Sequence, residues 1–285
     1  MGFKETVNAV LRRATGYQLQ RQLPRGQSDT VRHGERMLEA PVFILCSVRS
    51  GSTLLRVLLN THSQIHSPHE MHLRDIKVSV REGYPEKALR EVGLDEERLR
   101  FLLWDRVLHR EMTEHGKRIL VNKTPSDVFI VDEILRCWPD ARFIYLLRHP
   151  AAIAKSRQNA RPQDSAERNA EMVRRYAQAL ENARQEHPGI TVRYEDLTAE
   201  PERVTRELCA FLDVEWEPGM LDYGRTTHGR YKAGLGDWSE KIKSGRIQAA
   251  APLPSADEIP EALRPIADAW GYAPAPALQE PSPHE

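Results

Sequence analysis

The chain has 285 residues, 40% of them hydrophobic, with 41 Lys and Arg against 41 Asp and Glu. That length supports one large α/β domain with a substantial core, and the balanced charge offers no global field to a nucleic acid or other polyanion, so any anion site is local. No run of about eighteen apolar residues exists to span a membrane, no secretory leader pattern opens the sequence, and Cys46, Cys137 and Cys209 lack the spacing of a metal ribbon or redox pair, so a single-domain cytoplasmic protein with reduced, buried thiols is expected.

Residues 1–36 carry seven Lys and Arg against three acids, and Phe3, Val7, Val10, Leu11 and Ala14 recur at helical spacing. A basic helical extension is expected, docked on the domain's own surface or on a second subunit; contact with a membrane surface is the lesser alternative, because the apolar face is short. From residue 41 strand and helix alternate. Residues 42–46, 119–121, 143–147 and 190–192 are short β-rich runs. Helical patterns occupy 52–59, 95–115, 127–138, 150–159 and 165–186, and another starts at Pro201. Strands in such alternation are parallel, with ligands at their carboxyl ends, so the expected fold is α/β and three-layered, a central parallel sheet with helices on both faces. Residues 222–250 read as a basic loop, Ser255 and Glu258 have capping-box spacing, and a short helix broken at Pro260 and Pro265 ends at Gly271. The Pro-rich tail, 274–285, is expected to be flexible.

The first turn, S-V-R-S-G-S-T-L-L over 47–55, follows a strand and opens a helix. Such a turn aims backbone N–H groups and a helix dipole at one point and binds an anion. Gly51 lets the backbone bend, Ser50, Ser52 and Thr53 add hydroxyls, and Arg49 adds a permanent charge. A nucleoside-triphosphatase loop requires G-x-x-x-x-G-K-[ST]. Here Ser52 stands at the Lys and no Gly leads the turn, which disfavours ATP hydrolysis. A second feature is R-F-I-Y-L-L-R-H-P-A-A-I-A-K-S, 142–156. Arg148 ends a strand, Pro150 starts a helix, and Ser156 lies two turns later, so Arg148 and Ser156 can reach one anion near the sheet edge.

Together these segments resemble the sulfotransferases that use 3′-phosphoadenosine 5′-phosphosulfate (PAPS). S-V-R-S-G-S-T-L-L is similar to that family's 5′-phosphosulfate loop and L-L-R-H-P-A-A-I-A-K-S to its 3′-phosphate motif; V-R-Y-E-D-L, 192–197, and Y-K-A-G-L-G-D-W, 231–238, resemble two later segments. The likeness covers roughly residues 40–245 and implies the P-loop-like sulfotransferase fold. It also implies that Arg49, Ser50, Gly51, Ser52 and Thr53 grip the 5′-phosphate, Arg148 and Ser156 the 3′-phosphate with help from Lys232, and that Tyr194 lies near adenine. Leu54 stands where cytosolic members often place an adenine-stacking Trp, and Tyr231 and Ala233 replace an Arg and a Gly.

Sulfonyl transfer runs through a loose in-line transition state in which positioning and charge stabilisation dominate. The migrating group carries less charge than a γ-phosphoryl, so cationic side chains can suffice and no metal is expected. Arg49 and Lys123, in I-L-V-N-K-T-P, are the candidates for stabilising the bridging oxygen. The acceptor hydroxyl needs a base, and T-H-S-Q-I-H-S-P-H-E-M-H-L, 61–73, is dense in titratable groups. Glu70 matches the position of a catalytic Glu in tyrosylprotein sulfotransferases and is the first candidate; His72 is the second. S-P-H-E-M-H-L also resembles a segment of the bacterial sulfotransferase domains of polyketide synthases, pointing to secondary metabolism. His62 and His66 have i, i+4 spacing, but Pro68 prevents one helix from presenting all four rings, which argues against zinc. The expected reaction is sulfonyl transfer from PAPS, leaving PAP, to a hydroxyl of a small molecule, carbohydrate or lipid. A magnesium-dependent small-molecule kinase and a non-catalytic nucleotide-binding module are the alternatives.

Overall fold

The structure, a computed structural model, describes residues 36–226 and 240–272. The expected basic extension up to residue 35, the tail, and Lys232 with the whole of 231–238 lie outside those residues. Five strands, β1 (Val42–Cys46), β2 (Ile65–His66), β3 (Ile119–Asn122), β4 (Arg142–Leu147) and β5 (Gly189–Arg193), form a parallel sheet in the order β2-β3-β1-β4-β5. Four of them are the expected β-rich runs. The fifth, β2, has only two residues, paired Ile65 to Ile119 and His66 to Leu120, too few for a period-2 pattern to register.

Every residue of β1 is buried, because both faces of the sheet are covered. Phe43 and Leu45 join Phe143 and Tyr145 in a core with Trp104, Trp138 and Leu180. Val42, Ile44 and Cys46 join Ile144 and Leu146 in the other, with Leu55, Leu58 and Leu208. The register, Phe43 beside Phe143 and Ile44 beside Ile144, stacks like with like and satisfies both faces at once.

The helices are α1 (Ser52–Thr61), α2 (Tyr84–Glu91), α3 (Glu96–Glu114), α4 (Val131–Cys137), α5 (Pro150–Ala160), α6 (Ala166–Glu186), α7 (Tyr194–Ala199), α8 (Pro201–Phe211), α9 (Glu240–Lys243) and α10 (Arg264–Ala269). Two start one residue after the expected boundary because the first residue is a cap: Asp95 accepts from the Arg98 amide at 2.8 Å and Ser165 from the Arg168 amide at 3.2 Å. The capping box at Ser255 and Glu258 is present. The helix expected over 127–138 is shorter. Pro125–Phe129 forms a 3₁₀ turn and the α-helix begins only at Val131, since the Asp127 side chain is turned back to Asn122. Buried Asp105 of α3 accepts from the amides of Met37 and Leu38 and from Trp138 Nε1, at 2.6, 3.1 and 2.8 Å, tying the entry to β1 to the helical layer.

Helix α1 covers one face of the sheet, whereas α6, against which α5 packs, covers the other. Adjacent strands β1 and β4 therefore send their chains to opposite sides, and a crevice opens beyond their carboxyl ends. Among the described residues no helix is long and apolar enough to cross a membrane.

Candidate active site

The turn after β1 reverses through two left-handed residues, Arg49 at φ 64° and Gly51 at φ 88°. The Ser50 hydroxyl is turned inward and donates to the Ser47 carbonyl at 2.7 Å. The amides of Leu54 and Leu55 bond back to the Gly51 carbonyl at 3.0 and 3.3 Å, so the amides of Ser52 and Thr53, one step earlier, are the orphan donors of the helix start. A Cβ at position 51 would stand 2.2 Å from Cδ2 of Tyr194. Gly51→Ala is accordingly expected to combine left-handed strain of about 1–2 kcal/mol with displacement of that ring. Thermal melts should show a lower midpoint, and an unchanged midpoint would contradict the contact.

Arg148, just beyond β4, meets this turn. Its Nη1 donates to the Arg49 carbonyl at 2.9 Å, its guanidinium lies 4.4 Å from the Tyr194 ring centroid, and its buried Nε has no hydrogen-bond partner. Arg49 Nε donates in turn to Ser156 Oγ of α5 at 3.3 Å. Residues 107 apart in sequence thus touch. They line a cleft of about 370 Å³ with Gly51, Thr53, Leu54 and Tyr194, to which Tyr223, Arg246 and Gln248 also contribute. Arg246 is a third cation that residue-by-residue reading missed; its only signal was the basic composition of 222–250.

Glu70, Lys123 and His72 form a second group near the carboxyl ends of β2 and β3. Lys123 is 1% exposed, and its ammonium donates to Glu70 Oε1. His72 Nε2 lies 3.6 Å from the other Glu70 oxygen. His72 is itself held at a left-handed φ of 48°, and its amide reaches Thr124 Oγ1 at 3.4 Å. The end of β1 links the two groups: burial pushes the Cys46 thiol up to about 11, and that thiol senses Lys123, Ser52, Ser50 and Glu70.

Asp127 was also missed. It is fully buried and its Oδ2 accepts from Asn122 Nδ2 at 2.7 Å. Burial lifts its carboxyl from 3.8 to about 8, with the Asn122 hydrogen bond and Lys123 opposing and Glu70 adding to the rise. A folded value above the unfolded one means stability that is full below the unfolded value and drains away as pH rises toward the folded one. Asp127→Asn removes that term. The variant should gain stability relative to wild type between pH 5 and pH 8, read from denaturant midpoints; a pH-independent difference would contradict the assignment.

The histidines of 61–73 take separate roles. His62 closes α1 with Nδ1 accepting from the Gln64 amide at 3.0 Å and Nε2 facing the Glu215 carbonyl at 2.8 Å. His69 is partly buried and burial lowers its basicity. His66 stacks on His115 of the loop after α3, and burial first, then His115, drives it down to about 3. His72 lies beside the Glu70 carboxylate, and His69 senses its charge.

A sulfotransferase family model matches residues 41–218. The chain belongs to the sulfotransferase family. The sulfotransferase domain from the curacin biosynthetic pathway has a solved structure 26% identical to this family member, with a TM-score of 0.59 over 83% of this chain and 99% of that one. The sulfotransferase domain of the Synechococcus PCC 7002 olefin synthase, 23% identical and also at 0.59, shares the fold over 86% of this chain and 100% of that one. Protein-tyrosine sulfotransferase 2 of Gallus gallus is 24% identical over 203 residues, which are 65% of this chain and 54% of that protein. This sulfotransferase chain spans between about a quarter and about half of the length of the first curated relatives it matches. The expected family and the parallel-sheet fold are thus both found.

Proposed function

We propose that the protein transfers a sulfonyl group from PAPS to a hydroxyl of a small molecule, carbohydrate or lipid. The observation that carries this reading is the double junction of Arg148 with the Arg49 carbonyl and of Arg49 with Ser156. It joins an anion-binding turn to a second cationic site, a fit for a nucleotide with phosphates at two positions. The partnerless Arg148 Nε and the helix-start amides are donors that such a ligand would satisfy. Arg49, Ser50, Gly51, Ser52 and Thr53 would hold the 5′ end, Arg148 and Ser156 the 3′-phosphate, and Tyr194 the edge of adenine, with Lys232 assigned to the 3′ side by motif alone.

PAPS supplies the sulfonyl group on a phosphate leaving group. Glu70 takes the acceptor proton, Lys123 fixes the Glu70 carboxylate and with Arg49 offsets charge at the bridging oxygen, and His72 is the group nearest to receive a proton from Glu70. We take 1–285 as one catalytic domain. The three cysteines are free and buried, which fits a reducing compartment such as the cytoplasm.

The deciding experiment is ligand-linked stabilisation. A ligand at a hundredfold its dissociation constant adds about 2.7 kcal/mol. 3′,5′-Adenosine bisphosphate in a chelator should raise the melting temperature, and ATP with magnesium should not. The reverse result would replace this reading with the kinase. Transfer from labelled PAPS to an acceptor panel then separates an enzyme from a binding module.

A further inference from the structure

We propose that His66, Glu111 and His115 form a divalent transition-metal site of the zinc class that clasps the end of α3 to the edge strand β2. Each residue offers one donor atom, and the three atoms lie within 4.8 Å of one another. Glu111 and His115 are one helical turn apart, so one side of the α3 terminus presents both. His66 comes from β2.

Three observations make this more than a chance cluster. His66 Nε2 is buried and has no hydrogen-bond partner, in a residue only 6% exposed, and an unpaired buried polar atom is costly unless something else satisfies it. That nitrogen is 3.5 Å from Glu111 Oε2, close to the ligand separation of about 3.3 Å set by tetrahedral bonds of about 2.0–2.1 Å. His115 Nδ1 lies 2.8 Å from the Glu111 carbonyl. As the donor there, it fixes the tautomer whose free Nε2 lone pair binds metals, the usual outer support of a metal histidine. The two rings are stacked, with centroids 3.9 Å apart and planes 18° from parallel, so their lone pairs run side by side and the exposed His115 ring must turn for both to meet one ion.

Two imidazoles and one carboxylate select zinc, cobalt or nickel over magnesium or calcium. His115 is exposed and Glu111 half-exposed, which gives an ion a way in and leaves room for water as a fourth ligand. The nearby cations are committed elsewhere. Lys117 Nζ donates to the His62 and Ser63 carbonyls at 2.9 and 2.8 Å, and Arg56 Nη1 to the Ser67 carbonyl at 2.8 Å. The metal-free expectation for the transfer chemistry is untouched, since the proposed ligands are separate from the Glu70 and Lys123 group. The clasp would instead anchor the strand that leads, four residues on, to Glu70.

The test uses the untagged full chain, stripped with a chelator and titrated with zinc chloride by calorimetry and with cobalt chloride by visible absorption. The expected result is one tight equivalent, tetrahedral cobalt bands and a higher melting temperature with zinc. Changes in the outer support of a metal site alone cost about 10–100-fold in affinity, so His115→Ala and Glu111→Gln, at accessible positions, should each weaken zinc by about a hundredfold or more. Both should bind 3′,5′-adenosine bisphosphate as wild type does. No stoichiometric zinc binding by the wild type, or undiminished binding by either variant, overturns the site.

Discussion

Glu70→Gln is expected to cut turnover by about 10²–10⁴-fold, the usual contribution of a positioned base, while leaving nucleotide affinity as it is. Gln has the shape of Glu and keeps an oxygen to accept from Lys123, so the local packing survives. What it loses is the ability to take a proton. Because Glu70 belongs to the group at the ends of β2 and β3 and does not line the Arg49–Ser156 cleft, the loss should fall on kcat. Single-turnover rates with saturating PAPS, alongside calorimetric titration with the desulfated nucleotide, separate the two quantities. A variant turning over at the wild-type rate would remove Glu70 as the base and move attention to His72, 3.6 Å away.

Arg148→Ala is expected to act on binding. Truncating one partner of a desolvated, hydrogen-bonded charge pair costs about 2–5 kcal/mol, which is roughly thirtyfold to several-thousandfold in dissociation constant. Part of that would come from the lost phosphate contact and part from the turn, because Arg148 also holds the Arg49 carbonyl and lies over Tyr194. Arg148→Lys tells these apart: it retains a charge without the planar fork, and should recover only part of the affinity. Unchanged affinity in the alanine variant would contradict the 3′-phosphate assignment.

The sheet was legible because β1, β3 and β4 are buried along almost their whole length and read as short apolar runs. β2 was not, since a strand of two residues leaves no period. The same holds for α2, whose eight residues include none that is buried, so no core-facing stripe marks it. In the site, Arg49, Gly51, Arg148 and Ser156 were visible because motif spacing places the first three just past strand ends and Ser156 two turns into the following helix. Asp127 and Arg246 were not. Asp127 matters through burial, which a sequence does not display, and Arg246 reaches the cleft through a tertiary approach of a segment without periodicity. The histidines show a third case. Spacing paired His62 with His66, but the fold gives His62 to the end of α1 and stacks His66 on His115, a partner 49 positions further along.

The link from Arg148 through the Arg49 carbonyl to Ser156 also bears on how a catalytic cycle would end. Under the proposed assignment, Arg148 and Ser156 in that link grip the 3′-phosphate, a part of the nucleotide that does not react. The donor and its spent form carry the same two phosphates, so they would be held nearly alike, and grip of that kind lowers the free energy of bound states without speeding the chemical step. The cleft would then act as a gauge for the separation of two charges, blind to whether the sulfonyl group has left. Departure of the used nucleotide would be the slow event at saturating substrate, and added 3′,5′-adenosine bisphosphate would compete with PAPS at comparable concentrations.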